Sequence, residues 1–585
     1  MDPIDYGRFE DGRHVNYYDL DHTVRREVAR VTPRTDYGWA DEQLRSFGQV
    51  VGDTIADNAD RIDEHGPILH TYDRNGGVRN FVEYHPKQVE NERLAYGAGI
   101  VSDSFEAPPG RDDPLPLTHH LAMEYLLSYA DPGFTCPVSM TAGTALVLDK
   151  YGEGEVLQEY YERLVARDGD ENIEGAMFLT EKQGGSDVGA NETIAEHVEG
   201  DRYELTGEKW FCSNIDAEGT LALARTPDAP SGTKGLSLFL VPHTVDGELN
   251  DQLYRRLKDK LGTISVPTGE VELQGATGYL VGEEQLGFKY MTDMLNLERL
   301  SNASASVAIM GRCLLEAKIH AANREAFGSP IQEYPLMKRD LVDMAVDHEA
   351  AVAYTFEAGR VLSQREREGD EDAYRLMRVL VPIAKSRTAR MSVDTASYAM
   401  EILGGNGYVK DFVTHRLLRD AQVLPIWEGT SNILALDVLR ALDREDAHEP
   451  LLEAIQANLA PAEHPVLADT KESIQAAYAD LGTALATLAT EDGEYAQLQA
   501  KELADYIFDV FTGSLLLAEA QTEIDDADDA RLALVAERFV DRHLAQHESR
   551  GITSGDRFAL EHFDAVVRYE SVDPETLVES APADD

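Results

Sequence analysis

The chain has 585 residues, 53 Lys+Arg against 107 Asp+Glu, a formal net charge of −54 and 43% hydrophobic residues. That length at ~100–200 residues per domain implies roughly three to five domains, and the apolar fraction suffices for packed cores, which excludes disorder as the main state. No run of ~18 apolar residues appears, and Met1-Asp2-Pro3-Ile4-Asp5 has neither a basic nor an apolar region, so no membrane span or signal peptide is expected and the location reads as cytoplasmic. The acidity is spread along the chain and lysine is scarce, 14 Lys to 39 Arg. Such a surface suits concentrated salt, where the Debye length shrinks to ~3 Å at 1 M and self-repulsion is screened; a halophilic cytoplasm is the expectation. The same charge makes nucleic acid an unlikely main partner. Cys136, Cys212 and Cys313 lie far apart, so no disulfide framework or metal site is expected and redox work needs a cofactor.

Residues 1–172 read as a mostly helical domain, with apolar positions at three- and four-residue spacing around Leu121–Leu127 and Leu146–Leu148, and a loop at Pro108–Pro114. Residues 173–289 shift to short alternating runs, Tyr203–Gly207, Leu221–Arg225, Leu236–Val241 and Gly269–Leu273, which predict a compact antiparallel β domain. Helical periodicity returns from Tyr290 and continues to Leu442. Residues 443–585 form an extra helical domain with about 33 Asp/Glu against 9 Arg/Lys. The fold class is α+β in the order helical, β, helical, with a helical appendage.

Four segments stand out: Thr180-Glu181-Lys182-Gln183-Gly184-Gly185-Ser186-Asp187; Lys209-Trp210-Phe211-Cys212-Ser213; Arg324-Glu325-Ala326-Phe327-Gly328; and Gly404-Gly405-Asn406-Gly407 followed by Trp427-Glu428-Gly429-Thr430-Ser431-Asn432. In this order and spacing they resemble the acyl-CoA dehydrogenase flavoproteins over nearly the whole chain. Arg256–Gly262 and the C-terminal extension resemble the AidB-like branch, associated with the response to DNA alkylation.

The resemblance implies non-covalent FAD. Thr180, Gly185 and Ser186 would meet it from a glycine loop that exposes backbone N–H groups, Phe211 would face the ring, and Ser213 would stand where the family offers a Thr hydroxyl to flavin N5. One of Trp210 and Phe211 is expected in the core, and Cys212 is expected to be buried and inert. Arg324 and Phe327 resemble a segment that reaches a neighbouring subunit's FAD, the guanidinium offering a planar fork to pyrophosphate. Gly404, Gly405 and Gly407 resemble the turn that approaches the partner's cofactor, and Thr430 and Asn432 belong to the same cofactor-binding set. Glu401 stands where the family commonly has Gln, and repulsion by a diphosphate would turn it outward. A homo-oligomer, a dimer of dimers, is implied.

The implied reaction removes an α-proton from an acyl-CoA thioester with a carboxylate while hydride leaves the β-carbon, and passes electrons to an electron-transferring flavoprotein. Glu428 resembles the commonest base position. Glu298 resembles the position used in the isovaleryl and long-chain branches and can also be read as an ion-paired neighbour of Arg299. Two other function classes stay open: an AidB-like DNA-associated flavoprotein with weak dehydrogenase activity, and a flavin-bound scaffold. Arg531, Arg538 and Arg542 could share one helix face as a local basic patch, or pair with Glu537 and Asp541.

Overall fold

A computed structural model describes residues 3–167, 169, 171–545 and 556–580. The N-terminal part is built from helices α1 (His22–Val31), α2 (Arg34–Val50), α3 (Leu117–Ala130) and α4 (Pro132–Tyr151). Every residue of α3 is buried, so this helix is enclosed around its whole circumference, with His119, His120 and Glu124 taken inside as well. At the start of α4 the Asp131 carboxylate accepts the Phe134 N–H at 3.0 Å and Pro132 fills the first turn, where its missing donor costs nothing. A hairpin, Ile68–Tyr72 with Val78–Glu83, interrupts the expected all-helical stretch. Its signal was the Asn75-Gly76-Gly77 turn between two runs with β-branched and aromatic residues, Ile68, Thr71 and Tyr72 in the first and Val78, Phe81 and Val82 in the second, with Gly76 at φ 88°.

The middle part is a seven-stranded sheet: β1 (Gly175–Phe178), β2 (Ile194–Glu199), β3 (Arg202–Ser213), β4 (Gly219–Arg225), β5 (Leu236–Pro242), β6 (Gln252–Leu257) and β7 (Thr268–Val281). The pairing runs β6-β7-β3-β2-β4-β1, and β5 joins β7 to β4, so the sheet curls towards closure. It is not wholly antiparallel as expected. β1 runs parallel to β4 from Gly175↔Gly219 to Phe178↔Ala222, because β2 and β3 intervene between them as the crossover that a parallel pair requires.

Helix α5 (Gly287–Asn323), which starts ahead of the expected Tyr290, is the spine of the molecule. It packs against α3, α4, α6 (Pro335–Glu368) and α7 (Glu371–Leu403), and α8 (Thr414–Ala421) and α9 (Ser431–Arg444) complete the bundle. Beyond it come α10 (His448–Leu459), α11 (Ala468–Thr490), α12 (Gly493–Ala527) and α13 (Arg531–His543). These share one continuous apolar core with the bundle: Phe508 and Phe511 of α12 close on the Tyr354 ring of α6. No described helix is long and apolar enough to cross a membrane.

Candidate functional site

The structure brings both candidate glutamates into one site. Glu428 lies in the loop between α8 and α9 with φ 54°, a left-handed conformation uncommon outside glycine. Three side chains fix this loop by its carbonyls. Lys385 Nζ donates to Gly429 O at 2.6 Å, Arg299 Nε to Glu428 O at 3.4 Å and Asn302 Nδ2 to Leu424 O at 3.4 Å. Of the carboxylate, Oε2 is buried without a hydrogen-bond partner. Burial raises the Glu428 pKa, and the Lys385 and Arg299 cations oppose the rise.

Glu298, on α5, is buried, and its Oε1 also lacks a partner. Burial first and the Glu428 charge second push its pKa well above the ordinary value. The alternative reading of Glu298 as an ion-paired neighbour of Arg299 is not what the structure shows. Consecutive helix residues point about 100° apart, and the Arg299 guanidinium turns to Asp437, 2.8 Å away. Cys136 of α4 joins the same site: burial, then Glu298, push its thiol up, while Lys260, Glu428 and a hydrogen bond with Ser213 also act on it. Ser213 Oγ lies 3.2 Å from Thr268 Oγ1, and Lys260 Nζ donates to Val266 O at 2.6 Å and Thr263 O at 2.7 Å.

The motif loop after β1 is tied to β3. Trp210 N donates to Thr180 O at 2.9 Å, and the buried Lys209 ammonium meets Glu181 Oε1 at 2.8 Å. Along β3, Lys209 faces Val271 and Cys212 faces Gly269, so two residues, Trp210 and Phe211, oppose the single Glu270. This bulge corrects the expectation that one of the two aromatics is core. Trp210 is half-buried under Lys258 Nζ, 3.5 Å from its ring centre, and Phe211 is 58% exposed. Cys212 is buried on the opposite side, as expected.

Arg324 caps the C-terminal end of α5, exposed and without a side-chain hydrogen bond or ion pair among the described residues. Beside it Phe327, at φ 55°, is 99% exposed. Gly404 and Gly405 are exposed at the end of α7, Gly407 is buried against Met400, and Glu401 points to solvent. Thr430 and Asn432 are exposed at the start of α9. No hydrogen bond links either group to the Thr180–Ser186 loop among the described residues.

Three successive stretches match family descriptions. Residues 9–171 match the adaptive response protein AidB N-terminal domain, 176–276 the acyl-CoA dehydrogenase middle domain and 285–442 the acyl-CoA dehydrogenase C-terminal domain. Acyl-CoA dehydrogenase family member 11 of Caenorhabditis elegans is 33% identical over 88% of this chain and 85% of its own. The chain belongs to the acyl-CoA dehydrogenase family. AidB of Escherichia coli (strain K12) is 34% identical over 72% of this chain and 77% of its own, which places the chain on the AidB-like side of the family. Among solved structures, C. elegans ACDH-11 in complex with C11-CoA superposes with a TM-score of 0.85 at 29% identity, covering 93% of this chain and 94% of that one. The protein is accordingly an oxidoreductase of the acyl-CoA dehydrogenase type.

The family implies a flavin, and the residues present fit one. Phe211 offers a largely exposed aromatic ring, with Lys258 Nζ 4.9 Å from its centre, and the half-buried Ser213 a hydroxyl. A Cβ on Gly185 would stand 2.5 Å from Thr180 Oγ1, so only glycine keeps that hydroxyl accessible, and one on Gly404 or Gly405 would meet nothing within 4 Å. Arg324 is a guanidinium with no ion-paired carboxylate among the described residues. Sequence reasoning missed Lys385, Lys260 and Cys136, which reach the site from distant segments. No group of His, Cys, Asp and Glu among the described residues could hold a metal ion.

Proposed function

We propose that this acyl-CoA dehydrogenase family member oxidises the α,β-bond of an acyl-CoA thioester, with Glu428 as base and FAD as cofactor. The observation that carries this reading is the buried, unpartnered Oε2 of Glu428 on a loop whose carbonyls are pinned by Lys385, Arg299 and Asn302. Thr180, Gly185, Ser186, Phe211 and Ser213 would hold FAD from one chain, and Arg324, Phe327, Gly404, Gly405 and Gly407 would hold a neighbour's. When bound, the flavin supplies the acceptor for the β-hydride.

Glu428 Oε2 takes the α-proton. A carboxylate raised by burial is a stronger base than an ordinary one, and the two nearby cations oppose that rise. Glu298, pushed well above the ordinary range by burial and by the Glu428 charge, is the weaker candidate. The C11-CoA held by the C. elegans relative supports an acyl-CoA ligand. The exposed Phe327 and Tyr408, 99% and 84%, beside Arg324 and the glycine turn, support a homo-oligomer in which each site is completed by a second chain. An electron-transferring flavoprotein is the acceptor that this family membership favours.

Anaerobic addition of a panel of acyl-CoAs to the FAD-loaded protein in molar KCl tests the reading. Bleaching of the flavin absorbance is expected, and an unbleached spectrum with every thioester would rule it out.

A DNA-associated role is a second reading, favoured by the AidB match over 9–171. The three C-terminal arginines do not support it. Arg531 grips Glu349 with both terminal nitrogens at 2.9 and 2.7 Å, Arg538 meets Asp343 and Asp556, and Arg542 meets Asp347 at 2.7 Å. Asp541, one of the expected partners, approaches Arg538 at 3.7 Å, and the patch is consumed in docking α13 on α6.

A further inference from the structure

Lys260 stands in the short connection between β6 and β7 with its ammonium turned inward. Its three N–H groups are all taken by neutral oxygens, Val266 O at 2.6 Å, Thr263 O at 2.7 Å and Thr268 Oγ1 at 3.2 Å. The neighbouring lysines are neutralised instead: Lys209 meets Glu181 at 2.8 Å and Lys258 meets Glu270 at 2.6 Å. Lys260 has no ion-paired carboxylate among the described residues, in a chain with 107 Asp and Glu. Burial draws its pKa down to about 8, and Cys136, Asp420 and Asp131 oppose the fall. An uncompensated charge of this kind acts along the hydrogen bonds it makes.

One of those bonds leads to the flavin side of the sheet. Thr268 opens β7 and Ser213 ends β3, and the register sets them directly opposite each other with their hydroxyl oxygens 3.2 Å apart. Opposed residues project to one face, and Phe211 projects there too, because Cys212 between it and Ser213 is buried on the other side. From the ammonium the path therefore runs through the buried Thr268 hydroxyl to the half-buried Ser213 hydroxyl, beside the exposed Phe211 ring. The protons run the same way. An ammonium only donates, so Thr268 Oγ1 accepts from it and keeps its own proton for Ser213 Oγ; Ser213 then has a proton to offer outward. Within the chain the acceptor for it is the Cys136 thiol, a weak one. Each bond in such a chain polarises the next.

We propose that Lys260 is a positioning residue for the flavin: through Thr268 it orients and polarises the Ser213 hydroxyl as a donor to the bound cofactor, and so holds the reduction potential up. The inference rests on the FAD-dependent reading above and deepens it by naming what sets the readiness of that site to accept electrons. A donor backed by a cation favours the electron-rich form of the ring over the oxidised one.

The test is the two-electron reduction potential of the FAD-loaded protein, measured against a reference dye at pH 6.5 in molar KCl, with exposed charges screened and no acyl-CoA present. Lys260→Gln keeps N–H donors for Thr263 O and Val266 O and removes the charge. At a fixed potential its flavin should be about tenfold more oxidised than the parent's, a fall of ~30 mV for a two-electron couple. Thr268→Val retains the ammonium and cuts the path, so its potential should fall too, Thr268→Ser should restore it, and the double variant Lys260→Gln/Thr268→Val should fall no further than Lys260→Gln alone. A potential that stays or rises in Lys260→Gln overturns the proposal. So does a parent-like potential in Thr268→Val, or falls that add in the double variant, since the charge would then act across space and not along the hydroxyls. If Lys260→Gln does not fold, Thr268→Val against Thr268→Ser decides. A parent protein that takes up no FAD defeats the flavin reading itself, whereas FAD uptake and bleaching by an acyl-CoA with level potentials defeats this inference alone.

Discussion

At Glu428 a non-glycine residue is held at φ 54° by contacts to its own and neighbouring carbonyls, a backbone cost that fixes where the side chain stands. Glu428→Gln preserves size and removes basicity, so flavin reduction by an acyl-CoA should slow by the ~10²–10⁴ expected for a lost general base while FAD stays bound. Glu298→Gln should slow it far less, because burial and the Glu428 charge both disfavour the ionised form of that carboxyl. Stopped-flow bleaching compares the two, and the reverse order would move the base to α5. Lys385 gives the sign of a pH effect. Its ammonium lowers the Glu428 pKa, and burial draws its own pKa down to about 7. Lys385→Met removes that cation, the Glu428 pKa rises, and the acidic limb of the bleaching rate should move to higher pH. A limb that stays in place or moves down would show that Lys385 acts only through Gly429 O.

Elements were legible where the evidence is local. The β domain announced itself by alternation, and the Thr180–Ser186 loop and Trp427–Asn432 by residue type at fixed spacing. What the sequence withheld depends on pairing. The Trp210–Phe211 bulge exists only because β3 passes Glu270 of β7 with two residues against one. Glu298 lacks its expected cation because Arg299 is claimed by Asp437, far along the chain, and Lys385 joins the site from the middle of an otherwise ordinary helix. Gly262 is a further case, read from sequence only as part of a branch-like motif. A Cβ there would lie 2.5 Å from the Arg419 carbonyl carbon and oxygen and 2.8 Å from Asp420 N, all backbone atoms of α8 that cannot rotate away. Gly262→Ala should therefore destabilise by roughly 1–3 kcal/mol, as overpacking does, and lower the denaturant midpoint relative to Gly97→Ala, whose Cβ would meet nothing within 4 Å. Equal midpoints would mean that the β6–β7 connection shifts freely against α8.

For the whole molecule, two kinds of charge behave differently. Most of the −54 sits on exposed carboxylates that repel one another, and added salt screens them, the Debye length falling from ~10 Å at 0.1 M to ~3 Å at 1 M. Glu349 is different. It is fully buried between Arg531 and Arg26, and those cations outweigh burial and draw its pKa to about 2. This pair joins α6 to α1 and α13, and so fastens the C-terminal helices to the rest of the chain. In thermal melts at pH 7 the parent midpoint should climb as KCl rises from ~0.1 to ~2 M. Glu349→Gln leaves Arg531 without the carboxylate it grips with both terminal nitrogens, while Arg26 keeps Glu27 and Glu519, a loss of about 3–5 kcal/mol for which salt cannot substitute. Its midpoint should lie below the parent's at every salt concentration, by an amount that changes little along the series. If the two curves instead converge in high salt, Glu349 belongs with the screened surface charges and does not fasten the C-terminal helices.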